Sequence, residues 1–243
     1  MNVWEEFPEE ARMRAVEVAN HVISQVRLVP WTPEQMETLW RRRSYDQICS
    51  SGEVNVCVPC IDTAALAVAY LETRRESSFV TLFTEQGAAE DFVAAKKRKL
   101  HLDATASFLV DGIPYEVDIG AGDITLLKGR PRHKDDILFA TTRHDEPEWR
   151  RTGIASLSGA ELMRNKETPL VELLLQQRTT PLPFGLTRED FYRVNLEEGA
   201  NDRDEFYTHA GGYDGAIERA RSEGWTESVQ HVFPGLKPFN YAD

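Results

Sequence analysis

Cysteine is scarce in this chain. Three occur among 243 residues, and all fall between Cys49 and Cys60. An odd, clustered set is not the disulfide framework of a small secreted domain. Long apolar runs are also lacking. The longest, Ala64–Leu71, falls short of the roughly 18 residues that suggest a membrane span and closes on Glu72, Arg74 and Arg75. The start, MNVWEEFPEEARMR, carries acids where a signal peptide is basic and then apolar. A cytoplasmic, reducing location away from membranes is the expectation. Positive charge is outweighed, with 28 Lys+Arg against 40 Asp+Glu and a net charge of −12. Such a surface repels phosphate backbones and disfavours nucleic-acid binding.

What is present fits a globular protein. The apolar fraction is 41%, with 9% aromatic residues, well above the range of disordered chains. The length suits one large domain or a domain with an appendage. No internal repeat or flexible linker stands out.

The first fifty residues read as helical. Pro8 opens a stretch in which Ala11, Ala15, Val18, Val22, Ile23 and Val26 recur at three- and four-residue steps, the stripe of an amphipathic helix. Pro30 stops it, and Thr32-Pro33-Glu34-Gln35 is a capping box for a second helix. That helix is expected to carry Met36, Leu39, Trp40 and Arg43 on neighbouring turns, with Arg41–Arg43 a solvated basic face. Ser50-Ser51-Gly52 breaks the chain, and Glu53–Val58 reads as extended. From Cys60 the Ala- and Leu-rich run IDTAALAVAYLETRRE has no Gly or Pro, which predicts a buried central helix.

Phe79–Phe83 reads as a strand and Gly87–Lys99 as a short helix or loop. From His101 the period becomes two: HLDATASFLV and IPYEVDIG are strands joined by Asp111-Gly112, a strong hairpin signal. Asp123–Lys128 predicts another strand, and Ile137–Thr142 with Trp149–Ile154 a second hairpin. Helices return after Ser156, one from Thr168-Pro169, one capped by Thr187 and one over Asp214–Ser222. The outline is α+β: a core of residues 1–156 with N-terminal helices, and a helical C-terminal extension over 157–243.

Cys60 stands at the start of the apolar helix, where unpaired N–H groups and the helix dipole present partial positive charge. A thiolate is stabilised there, which makes a cysteine reactive; a small buried apolar residue is the bland alternative. The Asp111-Gly112 turn pairs Val110 with Ile113, and therefore Thr105 with Asp118. His101 shares parity with Thr105, so His101 and Asp118 fall on one sheet face, about 13 Å apart along flat strands. Asp103, on the same face, is a rival partner for His101.

A helix-start cysteine, a strand histidine and an aspartate on the next strand follow the chain order of the papain-like transglutaminase superfamily, which this sequence resembles. Asp111-Gly112-Ile113-Pro114-Tyr115-Glu116-Val117-Asp118-Ile119-Gly120-Ala121-Gly122 is similar to the hairpin of its arylamine N-acetyltransferase branch. Cys57-Val58-Pro59 stands where that branch has Arg-Gly-Gly. The resemblance implies a papain-like transglutaminase core, with the nucleophile-bearing helix packed on an antiparallel sheet. It implies a triad of Cys60, His101 and Asp118: the thiolate attacks a carbonyl, His101 moves the proton, and Asp118 orients the imidazole. It further implies acyl transfer that forms or exchanges an amide, or peptidase or amidase chemistry by the same steps. The substrates would be an acyl thioester, a peptide or an amine, with coenzyme A or a carrier protein as acyl donor. No resident cofactor or metal is expected.

Other uses of these residues stay open. Cys57-Val58-Pro59-Cys60 is also a C-x-x-C thiol pair. Cys49, Cys57, Cys60 and His101 form a Cys3His set for zinc. A non-catalytic scaffold is a further alternative, and Cys49 is otherwise read as a packing residue. Lys96-Lys97-Arg98-Lys99, just before His101, is a solvated run or a local attractor for an anionic group. His21, His133, His144, His209 and His231 lack ligand spacing. Gly211–Gly215 lacks the lysine and strand of a phosphate loop.

Overall fold

A computed structural model of the 243-residue chain describes residues 7–39, 42–56, 59–86, 101–120, 124–128, 150–176 and 233–242. For residues 33, 37, 83–86, 101–103 and 150–154 within them, it describes the backbone alone. The sequence expectations over 87–100, 129–149 and 177–232 lie outside the described residues, as do Cys57, Trp40 and Arg41.

The N-terminal segment is helical as its pattern predicts. Helix α1 (Glu9–Gln25) follows Pro8 and buries Ala11, Ala15, Val18, Ala19, Val22 and Ile23, the three-and-four stripe of the sequence. It ends before Pro30, because the chain first forms strand β1 (Arg27–Val29). Helix α2 (Pro33–Leu39) starts at the expected capping box: the Gln35 N–H donates to Thr32 Oγ1 at 3.2 Å, and the Thr32 N–H donates to Gln35 Oε1 at 2.8 Å. It stops at Leu39, so Arg43 is not on its surface. A second capping box, Ser44 with Gln47, opens α3 (Tyr45–Ser51), and Gly52 closes it with φ 61°. That left-handed conformation favours glycine. Strand β2 (Glu53–Asn55) then pairs in parallel with β1, Leu28 opposite Val54.

Helix α4 (Cys60–Thr73) is buried on nearly every side, from Ile61 through Ala69 and again at Leu71. Its small alanines let neighbouring elements approach closely. Strands β3 (Phe79–Gln86), β4 (His101–Val110), β5 (Ile113–Ile119), β6 (Ile124–Lys128) and β7 (Arg150–Ser158) form an antiparallel sheet in the order β6-β5-β4-β3-β7. The β4–β5 hairpin has the expected register, Val110 opposite Ile113. Asp111 and Gly112, at φ 51° and 76°, have the two positive φ angles of the mirror-image turn that matches strand twist.

Alternate residues define the sheet's two faces. Ala104, Ala106, Phe108, Tyr115, Val117, Ile119, Leu126, Val80 and Leu82 join the apolar residues of α1 and α4 in one buried cluster. Helices α5 (Gly159–Arg164) and α6 (Leu170–Gln176) add Leu162, Leu170, Val171 and Leu174 to it. Residues 233–242 return to the N-terminus. Phe233, Leu236 and Phe239 are buried in the same cluster, and Tyr241 forms a parallel bridge with Leu28. The architecture is α+β, a five-stranded antiparallel sheet with a helical layer whose central member is α4.

Candidate functional site

Cys60 is the first residue of α4. It is half-buried, packs against the core and carries a thiol outside any disulfide. Three residues on, the buried Thr63 ties this helix start to the sheet. Its hydroxyl lies 3.0 Å from the Ile119 carbonyl at the end of β5, and 3.1 Å from the carbonyls of Pro59 and Cys60. Asp118, the residue before Ile119, is half-buried and sits opposite Thr125 of β6. The start of α4 and the end of β5 are therefore neighbours.

His101 opens β4, its backbone opposite Glu85 of β3. Because β4 and β5 are antiparallel, the first residues of β4 lie at the same end of the sheet as Asp118. The β4–β5 ladder ends at Ala106 opposite Val117, one pair short of the Thr105–Asp118 pair that the turn register predicts. Beyond that point β4 continues against β3 as far as His101, and β5 continues against β6 as far as Ile119. The last β4–β5 pair lies close to Ile119, whose carbonyl accepts from the Thr63 hydroxyl. Of the rival, Asp103, the backbone is placed opposite Phe83.

Val117 and Ile119 belong to the face packed with α4, so Asp118 belongs to the other. That second face is polar yet buried: Thr81, Thr105, Ser107 and Glu116 are all inaccessible to solvent or nearly so. Thr105 Oγ1 donates to Glu116 Oε2 at 2.8 Å. The alternation Tyr115-Glu116-Val117-Asp118 reads as buried-then-exposed, so nothing in the sequence marked Glu116 as a buried carboxylate.

The larger correction concerns Arg43. Rather than lying on a solvated basic face, it is 5% exposed. Its guanidinium donates to Asp62 Oδ2 at 2.5 Å, to the Glu53 carbonyl at 2.8 Å and to Ser51 Oγ at 3.1 Å. It also lies 5.0 Å from the centre of the Trp31 ring, within cation–π range. Asp62 is the third residue of α4, so this network grips the same helix turn that carries Cys60. Cys49 is likewise corrected: it is exposed rather than packed in the core. It neighbours Tyr45, whose phenol is pushed above its ordinary value by burial first and then by Cys49.

Among the described residues, no group of three or more His, Cys, Asp or Glu is arranged to hold a metal ion, and no helix is long and apolar enough to cross a membrane. An open recess of about 430 Å³, lined by Leu39, Arg43, Asp46, Gln47, Ser50 and Ser51, lies on the α3 side and includes neither Cys60 nor Asp118. No protein-family model, curated protein or solved structure matches the chain.

Proposed function

We propose that the protein is a cysteine-dependent acyl transferase with a papain-like transglutaminase core, acting through Cys60, His101 and Asp118. The observation that carries this reading is that the start of α4 adjoins the end of β5 through the Thr63–Ile119 hydrogen bond, while β4, antiparallel to β5, begins at that same end of the sheet. Strand parity puts Asp118 on the sheet face away from α4, one residue beyond the last β4–β5 pair.

In this mechanism the Cys60 thiolate attacks the carbonyl carbon of an acyl thioester or a peptide amide. His101 takes the thiol proton and gives it to the departing thiol or amine, leaving a thioester on Cys60. An acceptor amine then attacks that thioester. His101 takes the amine proton, and Cys60 leaves as the thiol. Water in place of the amine completes hydrolysis by the same steps. Asp118 orients the imidazole and stabilises its charged form. The Cys60 backbone N–H at the helix start supplies one donor to the oxyanion. Coenzyme A or a carrier protein suits the donor role, and a cytoplasmic setting keeps the thiol reduced.

Alkylation against pH, read residue by residue by mass spectrometry, tests this. Cys60 is expected to label well below the free-thiol midpoint of about 8.5, and to lose that advantage in His101→Ala. Equal, slow labelling of Cys49, Cys57 and Cys60 would refute it.

A further inference from the structure

We infer that the buried Arg43–Asp62 pair is a positioning device for Cys60, anchoring the first turn of α4 and cancelling a carboxylate charge that would otherwise compete with the thiolate. The inference rests on the reading of Cys60 as the nucleophile. Two observations support it. The pair is nearly enclosed, its side chains 5% and 12% exposed. Replacing such a pair by well-packed apolar residues is often neutral or stabilising, so stability alone does not account for it. The pair also joins separate pieces of chain: Arg43 lies between α2 and α3, it is held by Ser51 of α3 and the Glu53 carbonyl of β2, and Asp62 lies in the first turn of α4.

Position then makes the charge matter. Cys60 and Asp62 are the first and third residues of one helix and share the partial positive charge of its N-terminus. An uncompensated Asp62 carboxylate would disfavour a second negative charge on Cys60. The guanidinium of Arg43, always protonated, cancels that penalty while its fork fixes the turn. Other charges around this helix end are constant across the test: Glu53 is paired with Arg27, Asp46 with Lys166, and Asp118 is unchanged. On α1, Glu17 accepts from Tyr70 and Arg74 at the opposite end of α4, and Arg14 pairs with Glu17 and Glu76.

The test is the pH midpoint of Cys60 alkylation in the full chain, measured for Arg43→Met, Asp62→Asn and the double variant. Arg43→Met leaves the carboxylate without its guanidinium and is expected to raise the midpoint by about half a pH unit, roughly threefold less thiolate below it. Asp62→Asn leaves the guanidinium and is expected to lower the midpoint by a similar amount. The double variant is expected to return close to the wild type. Loosening of the helix alone would move both single variants the same way, so shifts of equal sign, or none, overturn the inference. If Arg43→Met does not fold, Asp62→Asn decides: a fall supports the pair's role, and no change or a rise refutes it. No activity enters this measurement. An ordinary wild-type midpoint, indifferent to His101→Ala, would remove the nucleophile reading while opposite shifts still established the pair's electrostatic effect.

Discussion

Thr63→Val isolates the contact that docks the start of α4 on the sheet. The substitution keeps the branched shape and removes one hydroxyl in a site only 1% exposed. A hydroxyl donates a single hydrogen, and three carbonyls lie within 3.0–3.1 Å of it. Two of these belong to the helix itself, and Pro59 retains its bond from the Thr63 N–H at 3.0 Å. The Ile119 carbonyl, just past the end of the β4–β5 ladder, loses its hydroxyl partner from α4. Leaving a buried acceptor short of a bond costs about 1–3 kcal/mol. The lower half of that range applies, because β5 still pairs with β6 at Ile119. For a domain of this size, about 1–2 kcal/mol lowers the melting temperature by about 3–6 °C. Thermal melting and urea titration measure it, with Thr63→Ser as the control that keeps the donor. If Cys60 is held by this contact, its alkylation in the folded state also becomes faster or less selective. An unchanged denaturant midpoint with an unchanged slope would refute the claim that the hydroxyl fastens α4 to β5.

Gly159 opens α5 where an added Cβ would meet Glu72 Oε2 at 2.8 Å, Glu72 Cβ at 3.0 Å and Ser78 Oγ at 3.1 Å. Gly159→Ala is expected to cost about 1–3 kcal/mol by overpacking, and a variant as stable as the wild type in denaturant would contradict this. His21 stacks on Tyr70 with ring centres 4.0 Å apart, and burial holds its imidazole below the ordinary value. The unfolded chain therefore binds the proton more readily, so stability is full above the unfolded value near 6.5 and declines as the pH falls below it. Melting from pH 7.5 to 5.5 is expected to fall less in His21→Phe, and parallel curves would exclude His21 as the cause. Asn20 clasps the C-terminal tail, donating to the Gly235 carbonyl at 2.8 Å and accepting from the Lys237 N–H at 2.7 Å. Asn20→Ala is expected to speed hydrogen exchange at Lys237 by about fivefold, the equivalent of roughly 1 kcal/mol; unchanged exchange would show that the buried Phe233 and Phe239 hold the tail alone.

The sequence by itself determined the local elements whose signals are short-range. The stripe from Ala11 to Ile23, the Thr32–Gln35 capping box, the glycine- and proline-free run after Cys60 and the Asp111-Gly112 turn each act within a few residues, and each forms its predicted element. Strand parity followed from the turn, so the β4–β5 register from Val110 opposite Ile113 was legible too. Tertiary structure decided what pairs and what is covered. The parallel β1–β2 pair is a contact between distant three-residue strands that carry no periodic signal of their own. Arg43 reads as surface charge until the fold brings Asp62 against it from 19 residues away. Glu116 alternates like a solvent-facing residue until its face is buried. The docking of the α4 start on the end of β5 rests on a contact between Thr63 and Ile119 across 56 residues. Local backbone preference and periodicity are written along the chain, whereas desolvation, charge pairing and helix docking depend on which distant segments meet.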